Sequence, residues 1–206
     1  MHVVDFDRYR LRLNLESPLV GVKVRRQHRA FDIYQAELIR DDETVCAATE
    51  VYFVRIDDPG ANHAQAAVAI GSEFLVKVCL EALDWRGAVR EQIEEVFMDA
   101  MTDVFILERI NVLDPDADKP VLRGMFVQAI FSTLSRGMDI LFVRADPEEL
   151  PFWRDTIGAR QAGDFIAASG ARCLPVYPKP PRPMPARAAR PSSPRLRVVG
   201  KPRQSN

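Results

Sequence analysis

From Phe31 onward two stretches, Phe31–Arg40 and Thr44–Ile56, are rich in the β-prone residues Val, Ile, Tyr, Phe and Thr. Asp41-Asp42-Glu43 separates them, so the pattern predicts two strands and a polar turn, a hairpin. Asp58-Pro59-Gly60 ends the second strand. The period then changes. Ser72 is a candidate N-cap for a helix whose apolar side carries Phe74, Leu75, Val78, Cys79 and Ala82. A second helix is predicted from about Arg86 to Met101, with a buried stripe of Val89, Ile93, Val96, Phe97 and Ala100.

Val104–Leu113 reads as a strand in the middle of a covered sheet, since it is apolar on both faces. Strict alternation puts Phe105 and Leu107 on one face. It puts Val104, Ile106, Ile110 and Val112 on the other, together with Glu108. A helix from about Pro120 to Arg136 follows, with Leu122, Phe126, Ile130 and Leu134 repeating every four residues and Gly137 as its C-terminal cap. Ile140–Val143 is a short buried strand. Asp146-Pro147-Glu148-Glu149 has the layout of a helix start. The helix restarts at Pro151 and stops at Gly158, and Ala159–Ala167 supplies the last strand. A strand–helix–strand unit of this length predicts adjacent parallel strands with a right-handed crossover. The first thirty residues mix apolar and basic positions and are expected to give an edge strand or a cover.

Composition refines this picture. The chain has 206 residues, 47% of them hydrophobic and 28% charged, enough for one α/β domain with a proper core. No run of eighteen apolar residues occurs, which argues against a membrane span. The N-terminus lacks the basic start and apolar core of a secretory signal. Three unpaired cysteines, Cys46, Cys79 and Cys173, argue for reduced thiols in the cytoplasm rather than a disulfide framework or a zinc site.

The net charge of -1 hides an asymmetry. From Pro175 to the end there are eight basic residues, no acidic ones, and nine of the fifteen prolines. Such a segment cannot bury enough apolar surface to offset its ordering entropy, so 175–206 is expected to be a disordered, basic, Pro-rich tail behind a domain at 1–174. Its charge suits an acidic partner or nucleic acid, or simply keeps the chain in solution.

The stretch from Phe105 to Gln161 resembles the C-terminal half of the GNAT superfamily of N-acetyltransferases. The parts that carry the resemblance are ERINVLDP, the helix ending at Arg136-Gly137, the strand ILFV, and PFWRDTIGA. The hairpin at 31–56 is similar to the early meander of that family. The resemblance covers about two thirds of the chain and rests on the order and length of elements. It implies a single mixed sheet flanked by helices, acetyl-CoA as co-substrate, and transfer of the acetyl group to an amine of a small molecule or protein.

The resemblance also implies a diphosphate loop with the pattern Arg or Gln, two residues, Gly, one residue, Gly or Ala. Counting from either side places it on Ala117–Leu122, where no small or basic position of the pattern is kept. Asp114, Asp116 and Asp118 read as a solvated acidic loop and add negative charge where a diphosphate would lie. Arg123-Gly124, with Lys119, is a candidate shifted remnant of that loop. The backbone at Val112 and Leu113 is the candidate for polarising the thioester. Glu108, among apolar neighbours on a central strand, is the candidate base for the amine. The alternative is a strand glutamate paired with Arg109 or Arg144. The family's leaving-group tyrosine falls on Trp153 or Arg154, neither of which donates as a phenol does. Two readings stay open: an acyl-CoA-dependent N-acyltransferase that binds coenzyme A weakly, and a degenerate module of the same fold that binds or regulates.

Overall fold

The computed structural model describes residues 8–16, 30–56, 61–98, 100–115 and 117–170. Expectations for 175–206, and those for Asp116 and Cys173, lie outside the described residues. The fold is mixed α/β, built on one seven-stranded, mainly antiparallel sheet. The strands are β1 (Tyr9–Glu16), β2 (Phe31–Arg40), β3 (Val45–Val54), β4 (Asp103–Val112), β5 (Asp139–Val143), β6 (Arg160–Ala162) and β7 (Phe165–Ser169). Their spatial order is β1-β2-β3-β4-β5-β7-β6, and β4–β5 is the one parallel pair. The helices are α1 (His63–Ile70), α2 (Glu73–Lys77), α3 (Glu91–Phe97), α4 (Lys119–Leu134) and α5 (Leu150–Ile157).

The sheet is covered on both faces. On one, Leu75, Val78, Ile93 and Phe97 of the α1–α3 region meet Val104, Ile106, Ile140 and Phe142. On the other, Leu122, Phe126, Ile130 and Trp153 of α4 and α5 meet Phe105, Leu107, Leu141 and Val143. All five residues of β5 are buried, as expected for a strand between two layers. No helix is long and apolar enough to cross a membrane, among the described residues.

The hairpin forms where predicted. Its turn is closed by Asp42, whose carboxylate accepts from the Thr44 N–H at 3.1 Å and from Arg40. The hydrogen bonds from Arg40 and Thr44 hold the Asp42 carboxyl down at about 2. The basic N-terminal stretch supplies an edge strand: β1 pairs antiparallel with β2 along its whole length. The helix start at Asp146 also forms as predicted, with Glu149 accepting from the Asp146 N–H at 3.2 Å.

Several expectations are corrected. The predicted helix from Arg86 to Met101 shrinks to Glu91–Phe97. The Asp84 carboxylate accepts from the N–H groups of Arg86 and Ala88, which holds these residues in a local turn instead of a helix. Gly87 turns there with φ +87, and a Cβ on it would lie 2.7 Å from the His63 ring. Helix α1 was not predicted: it is a short, Ala-rich segment capped by Asn62, which accepts from the Gln65 N–H at 2.9 Å. The single predicted strand Ala159–Ala167 is a hairpin, β6 and β7, turning at Gly163 with φ +61. Helix α4 ends at Leu134 with an extended Ser135, so Gly137 lies in the connection to β5 rather than at the cap.

Candidate functional site

The facing of β4 departs from strict alternation. Thr49 pairs with Ile110, and Val51 pairs with Leu107. One residue of β3, Glu50, therefore opposes two residues of β4, Glu108 and Arg109. That is a β-bulge. Beyond it the faces are exchanged: Ile110 and Val112 pack on the same layer as Phe105 and Leu107, not with Val104 and Ile106 as predicted. The bulge is tied down by Thr49, whose buried hydroxyl donates to the Arg109 carbonyl.

Because two successive residues oppose one, Glu108 and Arg109 both line the same cleft. Its volume is about 430 Å³, and Gln35, Glu50, Tyr52, Ser72 and Asn111 line it as well. Glu50 accepts from Gln35 Nε2 at 2.9 Å and from the Tyr52 hydroxyl at 2.7 Å. These two bonds, Gln35 first, hold the Glu50 carboxyl below its ordinary range. Burial, and next the bond to Glu50, push the Tyr52 phenol up. Glu108 is half-buried and its Oε1 accepts from Arg144 Nη1 at 2.8 Å. The pairing expected as the alternative for Glu108 is thus formed, with Arg144. The Arg109 guanidinium is exposed and has no hydrogen-bonding or ion-pair partner among the described residues.

The bulge also marks where β4 and β5 part. Their pairing runs from Asp103↔Asp139 to Leu107↔Val143, and the Arg144 N–H closes it on the Leu107 carbonyl at 2.9 Å. Strand β4 continues to Val112 without β5. The Leu113 N–H donates to the Cys46 carbonyl at 2.8 Å, which makes Ala47/Val112 a non-hydrogen-bonded pair. In such a pair the N–H and C=O of Val112 point away from β3, toward the side on which β5 has ended. Leu113 itself is committed to Cys46 through its N–H, and its side chain is exposed.

The residues expected at a diphosphate loop are placed differently. Lys119 is the exposed first residue of α4. Arg123 donates to both oxygens of Glu149 and stacks on Trp153, 4.8 Å from its ring centroid. Gly124 lies in the second turn of α4, where its N–H belongs to the helical ladder. A Cβ on Gly124 would meet Thr156 Cγ2 at 3.0 Å and Phe152 Cζ at 3.2 Å, so this glycine lets α4 and α5 approach. In the first turn, Pro120 has no N–H and the Val121 N–H is taken by the Asp118 carboxylate. Only the N–H groups of Asp118 and Lys119 are left there for a ligand. The acidic loop is not all solvated: Asp114 is buried and accepts from Arg40 Nη1 at 2.9 Å.

The structure therefore brings Glu108 together with Glu50, Tyr52 and Arg109, and keeps Lys119, Arg123 and Gly124 on another element. Glu50, Tyr52 and Arg109 were missed as a group. Their signal in the sequence is weak, because a bulge is invisible to a period-two reading; Glu108-Arg109 interrupting an apolar strand is the one trace of it. Among the described residues no group of three or more His, Cys, Asp or Glu side chains is placed to hold a metal ion. The fold and site define a seven-stranded α/β domain with a charged cleft at a β4 bulge. No family model, no curated protein and no solved structure matches the chain.

Proposed function

We propose that this chain is a GNAT-type N-acyltransferase whose acceptor amine enters the cleft at the β4 bulge. The observation that carries this reading is the cleft at the bulge. There two carboxylates, Glu50 and Glu108, line a space of about 430 Å³ beside a strand that has just lost its parallel neighbour, and the bulge turns Arg109 into the same space. Carboxylates attract an ammonium, and the open edge of β4 offers the Val112 N–H to an acyl carbonyl. The parallel pair β4–β5, joined through α4, falls in the stretch on which the resemblance in the sequence rests.

In this reading the ammonium gives one proton to Glu108, whose Oε2 is not used by Arg144. The amine nitrogen attacks the thioester carbonyl, whose oxygen accepts from the Val112 N–H. The C–S bond breaks, the nitrogen loses its second proton, and the leaving thiolate takes one up. An amide and a free thiol result. The open edge of β4 suits the thioester end of acetyl-CoA. The first turn of α4 does not fit its diphosphate, because Pro120 lacks an N–H and Asp118 occupies that of Val121. Weak binding of coenzyme A follows, with Lys119 as the nearest cation on α4.

That same turn favours a second reading, in which the cleft binds an amine-bearing partner without transfer. The two are separated by incubating the protein with acetyl-CoA and a panel of primary amines and following free coenzyme A by chromatography. Amine-dependent release that falls at least a hundredfold in Glu108→Gln supports the transferase. Amine binding by calorimetry with no release supports the binding module.

A further inference from the structure

We propose that the molecule taken into this cleft carries a carboxylate as well as an amine, so that the substrate class is an amino acid or an amino-acid-like zwitterion. The inference rests on the amine-binding reading above and narrows it. It comes from the charges at the bulge. A regular strand would send Glu108 and Arg109 to opposite faces. The bulge turns both into the cleft, against Glu50.

The three groups differ in what already satisfies them. Glu50 is bonded by two neutral donors, Gln35 and Tyr52, and has no ion-pair partner among the described residues. Glu108 is paired with Arg144 through one oxygen. The Arg109 side chain has no hydrogen-bond or ion-pair partner among the described residues. The cleft thus holds an uncompensated carboxylate and an uncompensated guanidinium on adjoining strands. A simple amine would use the first and leave the second. A guanidinium presents paired donors in a fixed fork that matches a carboxylate. An ammonium between Glu50 and Glu108, with a carboxylate on Arg109, uses every charge the bulge presents. The volume lies in the range of about 300–1,000 Å³ usual for small-molecule sites.

The test is calorimetric binding of the full chain to the standard amino acids, each matched with its decarboxylated amine. At least one amino acid is expected to bind about tenfold or more tightly than its matched amine. That preference should vanish in Arg109→Gln, while Glu50→Gln should weaken both members of the pair. Unchanged thermal melting of both variants guards against misfolding; Arg109 suits this because it holds the bulge through its carbonyl, not its side chain. Matched pairs that bind equally, or a preference that survives Arg109→Gln, would overturn the carboxylate assignment, and no binding by either class would do the same. Release of coenzyme A is scored separately. Discriminating binding without release leaves this inference standing and removes the transferase reading instead.

Discussion

Arg144, the first residue beyond β5, donates to Glu108 Oε1 at 2.8 Å and ties the two parallel strands together where they part. The Arg144 side chain is 45% exposed and that of Glu108 13%, so solvent screens part of the attraction. Arg144→Ala is expected to lower stability to urea by about 1 kcal/mol at low salt, and by less in 1 M salt. An undiminished loss at high salt would show that Arg144 acts through packing rather than charge.

Thr49 holds the bulge from β3. Its hydroxyl is buried and donates to the Arg109 carbonyl, so Thr49→Val leaves that carbonyl without its donor. The expected cost is about 1–2 kcal/mol in urea denaturation, with Thr49→Ser close to wild type. On the further inference, Thr49→Val also weakens amino-acid binding, because Arg109 loses its common facing with Glu50 and Glu108. A valine variant that binds normally would detach the cleft from the bulge.

Gly124 offers a test of packing against ligand binding. Alanine gains helix propensity of about 1 kcal/mol, but its Cβ would crowd Thr156 Cγ2 and Phe152 Cζ. The double variant Gly124→Ala with Thr156→Ser is expected to be more stable than Gly124→Ala alone by about 1 kcal/mol, read from a thermodynamic cycle. If the two changes prove additive, the α4–α5 contact is not what the glycine serves.

Cys79 gives a prediction with pH. Burial on the apolar layer pushes its thiol up to about 12. The folded value exceeds the unfolded one of about 8.5, so the contribution is fully present below that pH and is lost as pH rises toward the folded value. The stability difference between wild type and Cys79→Ala should therefore shrink above about pH 9. In a Cys173→Ser background, Cys79 and Cys46 should resist a disulfide reagent at pH 8 until denaturant is added. Rapid labelling of the native protein would contradict this.

On the proposed function, the first turn of α4 gives a diphosphate little to hold, so acetyl-pantetheine and acetyl-CoA should have kcat/KM values within about threefold of each other. A preference of a hundredfold for acetyl-CoA would mean that the diphosphate is bound by groups other than Lys119 and the α4 terminus.

The sequence by itself determined the elements whose signals are local. The hairpin at 31–54 follows from two β-prone runs around an acidic turn, α4 from its four-residue repeat, and the start at Asp146 from its capping residues. Local competition already escaped it: Asp84 and Gly87 unwound the first turns of a helix that periodicity extended to Arg86. The site was legible only through Glu108. What placed Glu50, Tyr52 and Arg109 beside it is the register of β3 against β4, two segments separated by about fifty residues. A one-residue slip there reverses the facing of everything beyond it, and no pattern within β4 records that slip. Likewise Arg123 and Gly124 look like a phosphate site when read along the chain. In space they face Glu149, Phe152 and Thr156, because α5 folds back onto α4, and only the tertiary structure brings those side chains within reach.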